Sequence, residues 1–536
     1  MEIMQEQHGI TKLVSALADD NSDVRDAAVS VLQGFCIYES YQDDVVASIP
    51  AIILQLDDDD WRICEQNIQL LKGFLENEVF REAMCNEMDG LVAKISKKLG
   101  SGVYSLRLAA FEALEALNTH ETYQNSINLS IPTIISQMDA DDWSARIQNI
   151  QMLQKLSETK IFRDTLHKEQ FISKLTTRRG DSDTDVRTAA SVAFLAVLEY
   201  ESYQDDIKAS ISDIMTETDD QSYWRTRDQA VQMLTKLVEL DVYREAMNEH
   251  QIVSKFASKF EDGDSDVRNS VLTGLCACFK HELYTNNVVL ALPTIIKLLD
   301  HSDWGPRHSA VKTLSALSEH AAYRETLKSS GIVAKIVSRL KDDDYDVRSA
   351  AVNALATLGT QDCFKESLKP HDIVAKIFER FSDDYGHVRL EATKGIFKLS
   401  ADDFYKKDIK SLIAVPEIIK QLRDTNDAIR KGAIQIFTEF ATNGDFWEAI
   451  DAQEFYQNEF KSAVPIIMSM LEDQAWDIRQ QIIQTLVKLS ERPMLQEAMK
   501  VEGFINKLAA KLDDYDPDVR AEAAQAMPIP GQDQSW

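Results

Sequence analysis

The chain has 536 residues, a hydrophobic share of 44% and a formal net charge of −30. That apolar content suffices for a packed core and excludes wholesale disorder. The charge disfavours binding to a nucleic-acid backbone or to an anionic membrane, and favours a basic partner.

The N-terminus has neither a basic start nor a long apolar run, which predicts no signal peptide, no spanning segment and an intracellular protein, cytoplasmic or nuclear. The first predicted helix covers residues 10–17. An acidic turn follows, and Arg25 opens a helix rich in alanine and leucine. The same turn, arginine and helix return about every forty residues, at Arg107, Arg146, Arg187, Arg227, Arg268, Arg307, Arg348, Arg389, Arg430, Arg479 and Arg520, with Cys64 in the slot of a missing arginine. Self-similarity at this period means an array of two-helix units, none able to bury its apolar face alone. In residues 291–318, for example, a short apolar helix with Pro293 at its entrance leads through an acidic turn into a second helix carrying Val311, Leu314 and Leu317.

The units fall into two classes. One carries a lysine thirteen residues before its anchor: Lys12, Lys94, Lys174, Lys255, Lys335, Lys376 and Lys507. The other carries a proline fourteen residues before: Pro50, Pro132, Pro293, Pro416 and Pro465, with Asp213 in that place before Arg227. The classes alternate through Arg348 and then slip. The lysines are expected to keep their amines in water at the edge of an apolar face. Between Arg430 and Arg479 the spacing grows, and the surplus at residues 444–456 is expected to lengthen a connection instead of a helix. Residues 1–527 are expected to form one continuous array, and 528–536, with Pro528 and Pro530, a flexible tail.

The strings Asp23-Val24-Arg25, Asp185-Val186-Arg187, Asp266-Val267-Arg268, Asp346-Val347-Arg348 and Asp518-Val519-Arg520 resemble the HEAT/armadillo superfamily. The resemblance covers nearly the whole chain. At the level of fold it extends to the scaffold subunit of protein phosphatase 2A, to importin-type receptors and to acidic fungal HEAT arrays. It implies an all-α protein, a right-handed α-solenoid of about thirteen HEAT-like hairpins. It also implies that the twelve anchor arginines form a hydrogen-bonded structural ladder with the turn aspartates. Armadillo importins place tryptophan and asparagine four residues apart on the inner helix. Here Trp61, Trp143, Trp224, Trp304 and Trp476 sit three residues before the anchor, and Asn67 and Asn149 follow six positions after Trp61 and Trp143, off the same face. The peptide-reading ladder of that family does not carry over. The aromatics at the helix entrance, joined by Tyr104 and Tyr345, are expected to staple each turn to the next unit.

In such a stack the second helices line the concave face. The position five residues after each anchor is polar in every unit but one, where Val192 stands, and is glutamine in six. Gln69, Glu112, Gln151, Gln232, Asn353, Gln435 and Gln484 are the candidate residues for a protein or peptide with basic residues. No catalytic motif is present. His120-Glu121 and His281-Glu282 recur at equivalent positions, but the matching Tyr38-Glu39 and Tyr200-Glu201 lack the nitrogen ligand a metal pair needs. The six cysteines form no C-x-x-C pair and read as buried thiols. No metal, cofactor or catalytic residue is assigned. The expected function is a non-enzymatic scaffold or adaptor, the alternative a solenoid enzyme or small-molecule binder with a pocket in the array. Oligomeric state is left open.

Overall fold

A computed structural model describes residues 8–412, 415–442, 444–451 and 454–527; the tail expected at 528–536 lies outside them. Among the described residues the regular structure is helical throughout. The chain divides into two compact units, Met1–His250 and Gln251–Trp536, and each is a two-layered stack of helices.

Every anchor opens a helix of the second layer. In the first unit these are Ser22–Phe35, Trp61–Phe74, Tyr104–Asn118, Trp143–Glu158, Thr184–Ala196 and Trp224–Glu239. In the second they are Ser265–Phe279, Trp304–Glu319, Tyr345–Gly359, Gly386–Ser400, Asp427–Thr442, Trp476–Leu489 and Pro517–Ala526. The acidic turns start them. Asp60, Asp142, Asp183, Asp264, Asp303, Asp344 and Asp516 each occupy the N-cap and accept a backbone N–H of the first turn. The apolar rows then pack inward: Val311, Leu314 and Leu317 are fully buried, and within each unit successive second helices lie side by side.

The first layer departs from expectation. Pro50, Pro132, Pro293 and Pro465 lie inside helices, namely Glu39–Leu54, Glu121–Ser136, Thr285–Lys297 and Glu454–Ser469, and not at their entrances. The apolar row runs straight through each proline: Tyr123, Ile127, Ile131 and Ile134 are all buried on one face around Pro132. Burial of that continuous face outweighs the one backbone hydrogen bond the proline removes. Units of the lysine class solve the same bend differently. In five of them the first layer is two short pieces, such as Lys160–Lys168 and Phe171–Arg179, with a left-handed residue between. All five positive-φ residues of the described chain sit at this register: Gln170, Gln251, Gly331, Asp372 and Gly503, each seventeen positions before its anchor.

The surplus before Arg479 is helical too. Glu454–Ser469 holds the register of Glu39–Leu54 and Glu121–Ser136 relative to its anchor, and Gly444–Asp451 is an additional short helix ahead of it. Short helices of this kind, such as Glu78–Cys85 and Ala321–Ser329, follow the other proline-class second helices. Here alone among the described residues one precedes a second proline-class unit.

Candidate functional site

The anchor side chains bridge neighbouring turns. From Arg307 onward the pattern is uniform. Arg307 donates from Nε and Nη2 to both oxygens of Asp342 at 2.9 and 2.6 Å, and from Nη1 to the carbonyls of His301 and Ser302 in its own turn. Arg348 holds Asp383 in the same two-pronged way, Arg389 holds Asp424, Arg430 holds Asp473 and Arg479 holds Asp514. Arg520 binds the carbonyls of Asp514 and Tyr515. Each aspartate also accepts the backbone N–H two residues on, so it shapes its own turn while gripping the arginine before it. Burial works against the charged carboxyls of Asp342, Asp383, Asp424 and Asp514. The arginine and backbone donors win, and hold all four below the usual carboxylate range.

Toward the N-terminus the rungs vary. Arg146 reaches Asp181 at 2.8 Å, and Arg107 reaches Asp142 at 2.6 Å, assisted by Gln148 and Ser144. Arg25 has only the amide of Gln66 across the junction, at 2.7 Å. Arg187 bonds the carbonyls of Asp181 and Ser182 and the Thr184 hydroxyl in its own turn, and across the junction lies against the ring of Tyr223, 4.7 Å from its centroid. Arg268 lies beneath Trp304 in the same manner, and Arg227 bonds the carbonyl of Asp220. In the degenerate slot the Cys64 thiol points at the carbonyls of Leu56 and Asp58, the latter six residues back, where the arginines put Nη1.

The lysine series does more than face water. Lys94, Lys174 and Lys335 pair with Asp57, Asp139 and Asp300, the acids closing the preceding proline-class helix, at 2.7 to 2.8 Å. A second cation one turn on, missed in the sequence, joins them: Arg178 and Arg339 bridge Asp139 to Asp181 and Asp300 to Asp342. Where the alternation slips, Lys341 stands in place of that acid, and Lys376 turns to the carbonyl of His371. The repeat spacing carried this signal, since the acid seven residues before Cys64, Arg146 and Arg307 faces the lysine thirteen before the next anchor.

The candidate row on the second helices is solvent-facing. Gln69, Gln151, Gln232, Asn353 and Gln484 are exposed, and Glu112 and Gln435 are half-buried. Four of the seven are engaged within the array. Glu112 accepts from Lys72, Asn353 donates to Glu391, Gln484 donates to Glu522, and Gln232 donates to Asp228. Gln69, Gln151 and Gln435 have no hydrogen-bond partner among the described residues. Asn67 and Asn149 are fully buried and tie their helices to Gln55 and Leu99.

The aromatics at the helix entrances stay partly exposed. Trp143 is 48% exposed, Trp304 39%, Tyr385 49% and Trp476 43%. Arg348 covers one face of Tyr385, and Tyr345 and Tyr385 stack with centroids 4.5 Å apart.

One cleft stands out, a space of about 910 Å³ against helices Phe171–Arg179 and Gln204–Glu217, walled by Ser173, Thr176, Asp206, Asp213, Glu217 and their neighbours. Beside it the buried Arg179 pairs with Glu217 at 2.6 Å. Burial, and the nearby Asp213 and Asp220, push Glu217 up to about 7 in spite of that partner. The described residues contain no group of three His, Cys, Asp or Glu placed to hold a metal ion. Cys64 and Cys278 are buried, and the other four cysteines are half-buried. No helix of the described residues is long and apolar enough to cross a membrane.

Comparisons with known proteins agree with this geometry. The model for the C-terminal HEAT repeats of GCN1-like proteins matches residues 307–443, and the HEAT repeat model matches 463–492. The first of these matches falls on the uniform part of the ladder. No curated protein matches the sequence. Among solved structures, Kap121p superposes with a TM-score of 0.59 at 14% identity, over 97% of this chain and 56% of that one. The karyopherin Kap121p bound to the extreme C-terminus of the protein phosphatase Cdc14p gives 0.64 at 13%, over 97% and 53%. The chain thus spans about half the length of the Kap121p chains it matches. Turn ladder, paired layers and family matches together make this protein an α-solenoid of the HEAT type.

Proposed function

We propose that the protein is a non-enzymatic, intracellular scaffold or adaptor, in the cytoplasm or nucleus. In this reading residues 1–527 act as one continuous array whose concave, second-helix face receives a protein segment bearing basic residues, and nucleic acid is not a partner. The observation that carries the reading is the solvent-facing polar row on the second helices, where Gln69, Gln151 and Gln435 hold amides with no internal partner. Free amides on this face suit the backbone of an extended or helical segment and impose little side-chain preference. Kap121p, similar in fold, has been crystallised bound to a segment of Cdc14p and bound to Pho4p. The alternative, a small-molecule site, has a foothold in the cleft near Glu217, which mixes Ser, Thr, Asp and Glu side chains with apolar surface and opens to solvent.

Photo-crosslinking tests the assignment. A photoreactive residue in place of Gln151 or Gln435 should trap a protein from the source cell, and one in place of Leu129, exposed on the first layer, should not. Crosslinks from the first layer alone, or to no protein from any position, would refute it.

A further inference from the structure

One junction of the first unit is built unlike its neighbours, the one between helices Thr184–Ala196 and Trp224–Glu239. Eight residues before the anchor the array places a buried apolar side chain, as at Leu56, Leu99, Met138, Phe260 and Leu299. At that register before Arg187 stands Arg179, whose side chain is 1% exposed. Its partner Glu217 holds the place from which Gln137 and Gln421 reach back to the carbonyls of Lys97 and Phe381. The count to the anchor is one larger for Glu217 because its turn is one residue longer. Arg227 reaches the carbonyl seven residues back, whereas Arg146 and Arg187 reach the one six back. An ion pair has thus replaced a leucine and an amide. Arg179 gives only Nη2 to Glu217, and its Nε and Nη1 are buried with no hydrogen-bond partner among the described residues.

The second layer is loose at the same place. Asp220 shapes the following turn by accepting the N–H groups of Ser222 and Tyr223, as the ladder aspartates do in theirs. No cation grips it among the described residues, and Arg187, the anchor due to do so, lies on the Tyr223 ring instead. In the first layer the cleft of about 910 Å³ is lined by both Phe171–Arg179 and Gln204–Glu217. A buried ion pair with unmet donors holds two helices together less well than apolar side chains of the same volume. Stability in an array is a sum over its junctions, so local opening begins at the weakest.

We propose that this junction is a hinge of the first unit, which opens by parting Arg179 from Glu217 and lifting Arg187 off Tyr223, and which a proton on Glu217 holds shut. Opening changes the spacing of Val192 and Gln232, the positions of the solvent-facing row on its two sides. Arg179 faces Glu217 from the neighbouring helix, Asp213 from one turn back on its own helix and Asp220 from the turn that follows. From helix Trp224–Glu239, Arg227 is held at the Asp220 carbonyl. Burial and the two aspartates outweigh Arg179 and push Glu217 from 4.5 up to about 7. The packed junction therefore binds this proton more tightly than the open one. Its stability is complete below the ordinary value of 4.5 and is lost as pH rises through about 7.

Hydrogen exchange on the full chain tests this, read by mass spectrometry from about pH 5.5 to about pH 8 and corrected for the intrinsic rate at each pH. The opening constant of helix Gln204–Glu217 should rise by up to about tenfold per pH unit below pH 7 and level off above it. Helix Glu121–Ser136, whose junction keeps Leu99 and Gln137, is the control and should show no such rise. Glu217→Gln should abolish the pH response. Arg179→Leu with Glu217→Gln, which installs the side chains found at Leu99 and Gln137, should lower opening near pH 7 by about tenfold. Three results would overturn the hinge. They are an equal rise in both helices of the parent protein, a pH response that survives Glu217→Gln, or a double variant that opens within about twofold of the parent. The comparison of the two helices needs no variant, so it stands even if a substitution disturbs folding. None of these readings depends on the scaffold assignment.

Discussion

At the scale of single residues, the arginine–aspartate rung is the unit of cohesion, and its worth depends on how little water reaches it. Arg479 and Asp514 have side chains only 3% and 4% exposed, with a two-pronged bond and a further contact from Arg479 to the Tyr515 hydroxyl. Removing the carboxylate leaves the buried guanidinium with only carbonyls and a hydroxyl to answer its charge, which costs about 3–5 kcal/mol, whereas replacing both partners by apolar side chains costs far less. Asp514→Ala should therefore strip hydrogen-exchange protection from helix Trp476–Leu489, and Arg479→Met with Asp514→Leu should restore most of it. The same rung sets an acid limit. The Asp514 carboxyl lies below its unfolded value of about 3.9, so its contribution is complete above that pH and is lost as pH falls through the folded value. Protection of this helix should collapse below about pH 4 in the parent protein and should no longer follow pH in the double variant. An equal acid response in both would place the titrating group elsewhere.

At the scale of elements, the two classes bend the first layer by different means, and sequence disclosed them unevenly. The second helices were legible because cap, anchor and apolar row repeat together at fixed spacing, as Asp344, Arg348 and Leu355 do. The prolines misled because their preference for a first turn was set above the apolar row. Tyr123 and Ile127, on the same buried face as Ile131, already required the helix to begin well before Pro132, as it does at Glu121. The left-handed breaks were hidden because three of the five carry Gln170, Gln251 and Asp372 in place of glycine. The polar row was legible as polar and exposed, but not which amides are spent internally, since Gln484 and Gln435 look alike until Glu522 is seen beside the first. The breaks yield a prediction with opposite signs at one register. A side chain in the left-handed region costs roughly 1 kcal/mol. Gln170→Gly, at φ 56, should raise stability by up to about that amount, less the entropy glycine adds to the unfolded chain. Gly503→Ala, at φ 70 with open space around its Cβ, should lower it by about 1 kcal/mol or more. Urea midpoints measure both; two changes of the same sign would mean the register is not held left-handed in solution.

At the scale of the whole molecule, a net charge of −30 confronts an array whose strongest ion pairs are buried. The ladder and the lysine clamps use up one set of turn acids, while Asp303, Asp343, Asp384 and others like them repel one another across neighbouring turns. Salt distinguishes the two populations. At about 0.1 M the screening length is roughly 10 Å, comparable to the step between turns, so exposed repulsion is strongly reduced while buried pairs are screened much less. Because stability in a repeat array is a sum over units and their junctions, a small relief at each turn accumulates along the stack. Thermal stability should therefore rise, by about 2 °C or more, between low and physiological ionic strength. Asp303→Asn with Asp343→Asn and Asp384→Asn should reproduce part of the gain at low salt and reduce the further gain on adding it. A melting temperature that falls with salt would mean that exposed attractions such as Lys335 with Asp300 outweigh the repulsion, and the array would then lack the unspent negative charge that favours a basic partner.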